Sequence, residues 1–140
     1  MKILVAVDGS DYTKRMLAYI AAHDIWRAPS HEYSVLHVVP ALPPRAAAAL
    51  DRDVVQSYYA DEARAVFTPV RAFFEEHGLS PDYMSKVGPA ADVIAHTASE
   101  GRYDLLMMGS HGHSTLGSLV LGSVAGKVLS HCRTPLLLVR

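Results

Sequence analysis

Residues 105–123 read LLMMGSHGHSTLGSLVLGS, and this stretch decides how the rest of the sequence is interpreted. It begins with a short apolar run, passes through Gly109 and Gly112, and after nine intervening residues reaches Gly122 and Ser123. A short apolar run that stops at glycine predicts a buried strand. Because a helical pattern starts at Ser123, the stretch predicts a strand, a glycine loop and the first turn of a helix.

This arrangement is typical of a phosphate site. Glycines let the backbone approach an anion closely and tolerate positive φ, while the amides and the dipole of a helix N-terminus attract negative charge. We expect Ser123 to act as the N-cap of the helix or as a hydroxyl donor to a phosphate. We also expect folding to place no demand on the glycine spacing, so that the spacing itself indicates a ligand.

Two other phosphate-binding motifs are absent from the sequence. Gly117-x4-Gly122 is followed by Ser123 and not by Lys-Ser/Thr, which excludes a Walker A loop. The first apolar run is followed by Asp8-Gly9-Ser10, which excludes the G-x-G-x-x-G turn of dinucleotide-binding folds.

Apolar runs and helical patterns alternate along the remaining chain. Further strands are predicted over residues 3–7, 33–39, 83–87 and 136–139. Helices are predicted over residues 16–21, 55–74 (with a kink at Pro69), 91–99 and 123–131, the first of them capped at Ser10-Asp11. Continuous apolar runs suit strands that are covered on both faces. The pattern therefore predicts an α/β fold with one open parallel five-stranded sheet and helices on both faces.

Residues 40–51 depart from this alternation, with three prolines followed by Arg45 and four consecutive alanines. We interpret them as a mobile surface loop and not as a domain boundary. The 140 residues contain no internal repeat, and their number fits one domain of ~100–150 residues. A single domain over residues 1–140 is therefore predicted.

Composition and charge exclude several classes of protein. Thirteen basic and fourteen acidic residues give a net charge of −1 without a basic cluster, which argues against a nucleic-acid partner. The lone Cys132 cannot form an internal disulfide, which favours a reducing compartment, and it is expected to pack as an apolar residue. The first apolar run is too short for a signal peptide or a membrane span. A cytoplasmic protein without membrane insertion is predicted.

The motifs together resemble the universal stress protein family, and specifically the ATP-binding branch of these UspA-like proteins. That branch carries G-x2-G-x9-G-[ST], which Gly109, Gly112, Gly122 and Ser123 match. The resemblance covers almost the whole chain: residues 2–10, 36–39, 87–90 and 134–139 look like the family's opening strand and turn, second strand, third-strand exit and closing strand.

The resemblance implies a Rossmann-like sheet of the adenine nucleotide alpha hydrolase type, with strand order 3-2-1-4-5. Strands 1 and 4 are then neighbours whose crossovers go to opposite faces, and ligands bind at such a switch point. By resemblance, Asp8 faces the ribose or adenine, and Val38 offers backbone groups to the adenine edge. The adenine-nucleotide site that the resemblance implies consists of Ala6, Asp8, Val38, Met108, Gly109, Ser110, His111, Gly112, His113, Ser114, Thr115, Gly122, Ser123, Val124 and Ala125.

One position departs from the family pattern. The residue after Gly112 is commonly Arg or Lys in the family, whereas here it is His113. A neutral imidazole contributes less to phosphate binding than a fixed cation, so we predict that ATP binds more tightly at pH 6 than at pH 8. We expect no metal site of the protein's own, while a Mg²⁺ ion that arrives with ATP would lie near Asp8 or Ser123.

Several side chains allow a competing interpretation. Ser110, His111 and Asp8 could form a hydrolytic triad, although no G-x-S-x-G elbow precedes them. His111 and His113 are a poor zinc pair without a further ligand nearby. Asp8 could instead only cap the turn into the first helix. The other histidines that carry no motif are interpreted as packing or surface residues: His37, His77 and His96.

The functional expectation is an adenine-nucleotide module (ATP, ADP or AMP) of the stress response that acts by altering assembly or contacts with a regulatory protein. Because the glycine loop lacks Lys and Arg, catalysis is expected to be absent or limited to weak ATP hydrolysis. The closing strand, residues 136–139, would be an edge strand, and the resemblance implies a homodimer through it. Two alternatives stay open: a slow ATPase or nucleotidyl-type enzyme on the same fold, and an interaction subunit that has lost nucleotide binding.

Overall fold

The computed structural model describes residues 1–113 and 120–140, in which five strands alternate with helices. In chain order the elements are β1 (Lys2–Ala6), α1 (Asp11–Ala22), a 3₁₀ turn (Asp24–Arg27), β2 (Glu32–Val39), α2 (Pro44–Ala49), α3 (Arg52–Glu76), β3 (Asp82–Val87), α4 (Ala90–Glu100), β4 (Leu105–Gly109), α5 (Ser123–His131) and β5 (Leu136–Val139). Each predicted strand is present, with boundaries that differ from the prediction by one residue at most.

The five strands form one parallel sheet in the order β3-β2-β1-β4-β5, which confirms the predicted order. At its carboxyl edge, Gly109 pairs with Val139, and the amide of Ser110 donates to the Val139 carbonyl at 2.8 Å. Because β1 and β4 are neighbours, the crossovers that follow them leave the sheet from adjacent points. The crevice between them is the switch point of the fold.

Both faces of the sheet are buried. Alternate residues of β1 point to opposite sides: Ile3 and Val5 join one apolar cluster with α1 and α3, while Leu4 and Ala6 join a second cluster with α4 and α5. Such two-sided burial explains why the strands read as continuous apolar runs instead of alternating ones. Cys132 packs against the second cluster, as predicted.

The interpretation of residues 40–51 as a loop is wrong in its centre, where α2 forms over Pro44–Ala49. Proline is favoured at the first helical position and alanine has the highest helix propensity, so the four alanines after Pro44 propagate a short helix. Immediately afterwards α3 begins, and it continues through Pro69 although that residue supplies no amide donor.

At the amino edge of the sheet, polar groups pair with each other. Lys2 donates from Nζ to the Gly101 carbonyl at 2.6 Å and from its backbone amide to Asp104 Oδ2 at 2.7 Å. Tyr33 donates its hydroxyl to the Trp26 carbonyl at 2.6 Å, and burial raises the pKa of Tyr33 to about 12. These polar groups of the amino edge are therefore paired within the protein.

In residues 1–113 and 120–140, no helix is both long and apolar enough to cross a membrane.

Candidate functional site

A cavity of about 280 Å³ opens at the carboxyl ends of β1, β2 and β4, near the lower end of the ~300–1,000 Å³ found for small-molecule pockets. Most of the predicted site residues line it: Ala6, Asp8, Val38, Met108, Gly109, His111, Gly112, His113, Gly122, Ser123, Val124 and Ala125. Ser110 does not line it. Ser114 and Thr115 lie outside the described residues.

Asp8 uses one carboxylate oxygen for the turn after β1 and keeps the other toward the cavity. Its Oδ1 accepts hydrogen bonds from the Ser10 amide at 2.9 Å and from Thr13 Oγ1 at 3.0 Å. Within the described chain Oδ2 has no hydrogen-bond partner, and it lies so close to Gly112 that a Cβ there would be 2.8 Å from it. Asp8 therefore caps the turn and still presents an acceptor to the cavity.

The three glycines of the motif are required by close packing. A Cβ at Gly109 would lie 2.6 Å from the Tyr12 Cβ, and one at Gly122 would lie 2.8 Å from the Ser110 carbonyl oxygen. None of the three has a positive φ. The expectation that folding places no demand on these positions is therefore wrong, because each contact is made within the protein.

The N-terminus of α5 presents unpaired amides to the cavity. The helix is capped by Gly122, without a side-chain hydrogen bond, and its first residue is Ser123; the prediction of Ser123 as the cap is therefore wrong by one position. The Gly122 carbonyl accepts from the Gly126 amide at 2.8 Å. The amides of Ser123, Val124 and Ala125 have no acceptor in the described chain, as expected for a first helical turn.

Ser110 and His111 form a hydrogen-bonded chain that closes the base of the glycine loop. His111 Nε2 lies 2.6 Å from the Val120 carbonyl oxygen, which can only accept, so Nε2 carries a proton. In the neutral ring Nδ1 therefore accepts from Ser110 Oγ, at 2.9 Å. Although this resembles a nucleophile with its base, the Ser110 residue is only 2% exposed and does not face the cavity. The pair is placed to hold the loop, and its described hydrogen bonds do not include Asp8, so they do not form the hydrolytic triad considered as a competing interpretation.

His113 connects the glycine loop to the turn after β1. Its Nε2 donates to the Asp8 carbonyl oxygen at 2.7 Å, and the side chain is exposed. Lys and Arg are absent from the described cavity lining, so backbone amides and imidazole N–H groups, and no fixed cation, face a ligand there. His111 and His113 belong to no cluster of three or more potential metal ligands in the described residues.

Sequence reasoning missed His37 as a cavity residue. It lies in the second apolar run next to Val38, is only 8% exposed, and is one of the residues that line the cavity. Thr13, which bonds Asp8, was missed as well. The available signal for His37 was an imidazole among the apolar residues near the carboxyl end of the strand. Thr13 carried no such signal, since its position on α1 is unremarkable.

Comparison with known proteins identifies the family. The model of the "Universal stress protein family" matches residues 1–140. The chain therefore belongs to the universal stress protein family.

Several relatives match along almost their whole length. Universal stress protein YxiE of Bacillus subtilis (strain 168) is 29% identical over 147 residues, covering 99% of this chain and 98% of YxiE. A universal stress protein of Thermus aquaticus, from the QAH/OAS sulfhydrylase 3′ region, is 32% identical over 143 residues, covering 99% and 97%. The structure of MJ0577 from Methanocaldococcus jannaschii superposes with a TM-score of 0.81 at 25% identity, covering 99% of this chain and 94% of MJ0577.

More distant relatives of the same fold have been solved with adenine nucleotides. One is a family member of Arabidopsis thaliana with AMP bound (17% identity, TM-score 0.71, covering 99% of this chain and 90% of that one). Another is the universal stress protein of Archaeoglobus fulgidus in complex with dAMP (21% identity, TM-score 0.70, covering 100% and 98%). At these identities the likeness to our chain is one of fold.

Proposed function

We propose that this protein binds an adenine nucleotide (ATP, ADP or AMP) and acts as a nucleotide-responsive regulatory module. The observation that carries the proposal is the polarity of the cavity. Acceptors lie at the β1 end, where Asp8 Oδ2 is open, and donors lie at the α5 end, where three helix amides are open. A nucleotide has the matching polarity, because its nucleoside part carries N–H and O–H donors and its other end is an anion.

The proposed pose follows from this polarity. The phosphates lie against the amides of Ser123, Val124 and Ala125, where the helix dipole favours negative charge. The ribose lies above β1, within reach of Asp8 Oδ2, and the base lies beside the end of β2 near Val38. Support comes from the AMP- and dAMP-bound relatives, which share the fold. Mg²⁺ enters only together with ATP, near Asp8 and Ser123, since oxygen ligands suit it.

Binding with little turnover is the expected activity. Phosphoryl transfer requires a positioned base or water and cations that neutralise the developing charge. The described cavity lining offers imidazoles but no Lys or Arg, and Ser110 is buried behind His111. We therefore expect hydrolysis to be slow compared with nucleotide release.

The decisive experiment is calorimetric titration of ATP, with and without Mg²⁺, into ligand-free protein. A suitable variant is Ser123→Asp, since an acidic residue in the first turn stabilises a helix while it repels phosphate from the same amides. We expect ATP affinity to fall at least tenfold while the thermal midpoint stays equal or rises. Gly112→Val and Gly122→Val are poorer tests, because their side chains would collide with the protein itself.

The matched control is Ser99→Asp, at the exposed far end of α4. It adds the same charge at the opposite edge of the sheet and should leave ATP affinity unchanged. If millimolar ATP produces neither heat nor a thermal shift in the unchanged protein, the nucleotide proposal is wrong. The interaction-subunit alternative would then explain the fold better.

We further propose that the protein forms a homodimer through β5. This strand lies at the edge of the sheet, and its four apolar residues are all partly exposed. On the side toward β4, the carbonyls of Pro135 and Val139 accept hydrogen bonds. Because successive residues of a strand direct their backbone groups to opposite sides, those of Leu136 and Leu138 point away from β4. Leu138→Pro should therefore remove an outward donor without breaking a bond to β4. Light scattering at micromolar concentration should show a dimer for the unchanged chain and a monomer for the variant; a monomeric unchanged chain would contradict the proposal.

A further inference from the structure

His37 is a buried imidazole with one nitrogen committed to the protein and one left open. Its Nδ1 lies 2.8 Å from the Val7 carbonyl oxygen, which can only accept, so Nδ1 carries the proton of the neutral ring. Nε2 is then an acceptor, and it makes no hydrogen bond within the described chain. The tautomer is thus fixed by the fold.

The open nitrogen reaches the cavity. Three buried polar side-chain atoms of the described chain have no partner: Ser10 Oγ, Trp26 Nε1 and Tyr83 OH. His37 Nε2 also has no protein partner, yet it is not one of these three buried atoms. Its surface is therefore accessible to solvent. Since the residue is more than nine-tenths buried and lines the cavity, we place the open side of Nε2 at the cavity.

The place of His37 in the sheet indicates which part of a nucleotide it meets. Strands are spaced by about 4.8 Å, so β2 lies roughly 10 Å from β4, with β1 between them. In a nucleotide the ribose stands between the phosphate and the base. With the phosphate at the amides of α5 beside β4, the ribose falls above β1 and the base falls above β2, where His37 lies.

We infer that His37 selects 6-aminopurines over 6-oxopurines, an inference that rests on the proposed nucleotide function. The Nε2 lone pair accepts a hydrogen bond from the exocyclic 6-amino group of adenine. In hypoxanthine or guanine the same position is a carbonyl oxygen, which is also an acceptor. That oxygen would face the Nε2 lone pair with no proton between them. A buried acceptor that loses its donor carries a full desolvation penalty, so the discrimination is substantial.

The test is calorimetric titration of AMP and of inosine monophosphate at pH 8, where imidazole side chains are in general neutral. The unchanged protein should bind AMP about tenfold or more tightly than inosine monophosphate, as expected for one missing hydrogen bond at a buried acceptor. His37→Asn places an amide near the Nδ1 position, where it can still donate to the Val7 carbonyl, and it removes the cavity acceptor. Its preference should fall to within about threefold, mainly through weaker AMP binding. His37→Gln, whose carbonyl reaches further, should retain part of the preference.

A second measurement does not depend on a variant that folds. In protein labelled with ¹⁵N-histidine, the resonance of the His37 acceptor nitrogen should shift when AMP is added and should not make that shift with inosine monophosphate. Equal affinity of the unchanged protein for the two nucleotides, or a folded His37→Asn that keeps the preference, would overturn the inference. If neither nucleotide binds, the proposed function itself fails. If both bind without discrimination, only the role of His37 fails.

Discussion

The two edges of the sheet treat their polar groups differently. At the amino edge, Lys2 bonds to both Gly101 and Asp104, and the Tyr33 hydroxyl bonds to a backbone carbonyl. At the carboxyl edge, Asp8 Oδ2 and His37 Nε2 have no partner in the described residues, and neither do the first amides of α5. These groups of the amino edge are paired within the protein, whereas the carboxyl edge keeps donors and acceptors available for a ligand.

This difference follows from the parallel sheet. All strands end at the same edge, so the helices that follow them begin there and direct their free amides toward one crevice. The opposite edge receives the helix C-termini and the chain entries into the strands, which short local bonds can satisfy. A substitution at the carboxyl edge should therefore change nucleotide binding, whereas a matched substitution at the amino edge should leave nucleotide binding unchanged. Comparing the two separates effects on stability from effects on binding.

The largest effect is expected for Gly122→Ala compared with Gly101→Ala. The new Cβ would lie 2.8 Å from the Ser110 carbonyl oxygen in the first variant and 2.9 Å from the Thr97 carbonyl oxygen in the second. Overpacking against backbone should cost each about 1–3 kcal/mol in the free energy of unfolding. Urea denaturation should show both losses, but ATP titration should show weakened binding only for Gly122→Ala. Equal binding by the two variants would remove the glycine loop from the site.

The next effect is expected for Asp8→Asn compared with Asp104→Asn. Both variants remove one negative charge, and both keep an oxygen for the bonds that the carboxylate accepts from the protein. Their stability should change by less than about 0.5 kcal/mol. Only Asp8→Asn replaces a cavity acceptor, so AMP should bind about tenfold more weakly to it. Pyrophosphate, which lacks a nucleoside, should bind no more weakly; if it weakens as much as AMP does, Asp8 does not meet the nucleoside.

A smaller effect is expected from pH through His113. Histidine is the side chain whose charge generally changes between about pH 5 and 8, and this exposed imidazole lies beside the cavity with Nε2 donating to the Asp8 carbonyl oxygen. ATP should bind several-fold more tightly at pH 6 than at pH 8, and His113→Gln should flatten this profile. Calorimetry at the two pH values checks it. A profile that is unchanged in the variant would assign the effect to another group.

The smallest effect concerns Tyr33 at the amino edge, because the pH dependence of stability that it causes is absent near neutral pH. Burial raises its pKa from 10 to about 12, so the folded protein holds this proton more tightly than the unfolded chain does. The associated stability is complete below pH 10 and is lost as pH rises toward 12. The urea midpoint should fall more steeply over this interval for the unchanged protein than for Tyr33→Phe. Nucleotide affinity at neutral pH should be the same for both proteins.

Much of the fold was predictable because burial on both faces leaves a simple trace. Runs such as residues 3–7 are apolar throughout, and their alternation with helical patterns indicates a parallel sheet. The strand order came from family resemblance, since apolar runs do not say which strands are neighbours. The short helix α2 was missed because the prolines before Ala46 suggested a loop, although proline at a first helical position favours a helix.

The site was only partly predictable. The glycine motif correctly indicated the loop, yet its spacing is explained by contacts inside the protein, such as that of Gly109 with Tyr12. A sequence does not separate glycines that approach a ligand from glycines that approach their own chain. His37 was interpreted as a packing residue because burial and function look alike in a strand. Its proposed role depends on which ring nitrogen donates to the Val7 carbonyl.

The hydrogen bond from the Ser110 amide to the Val139 carbonyl connects the two edge strands of the sheet unequally to the glycine loop. Ser110, the first residue after β4, is hydrogen-bonded to Val139, the last residue of β5. A displacement of β5 would therefore reach the glycine loop through one backbone hydrogen bond. From β3, on the other margin, the same displacement must cross β2, β1 and β4. A molecule that binds along β5 would therefore be linked to the glycine loop more directly than one that binds along β3.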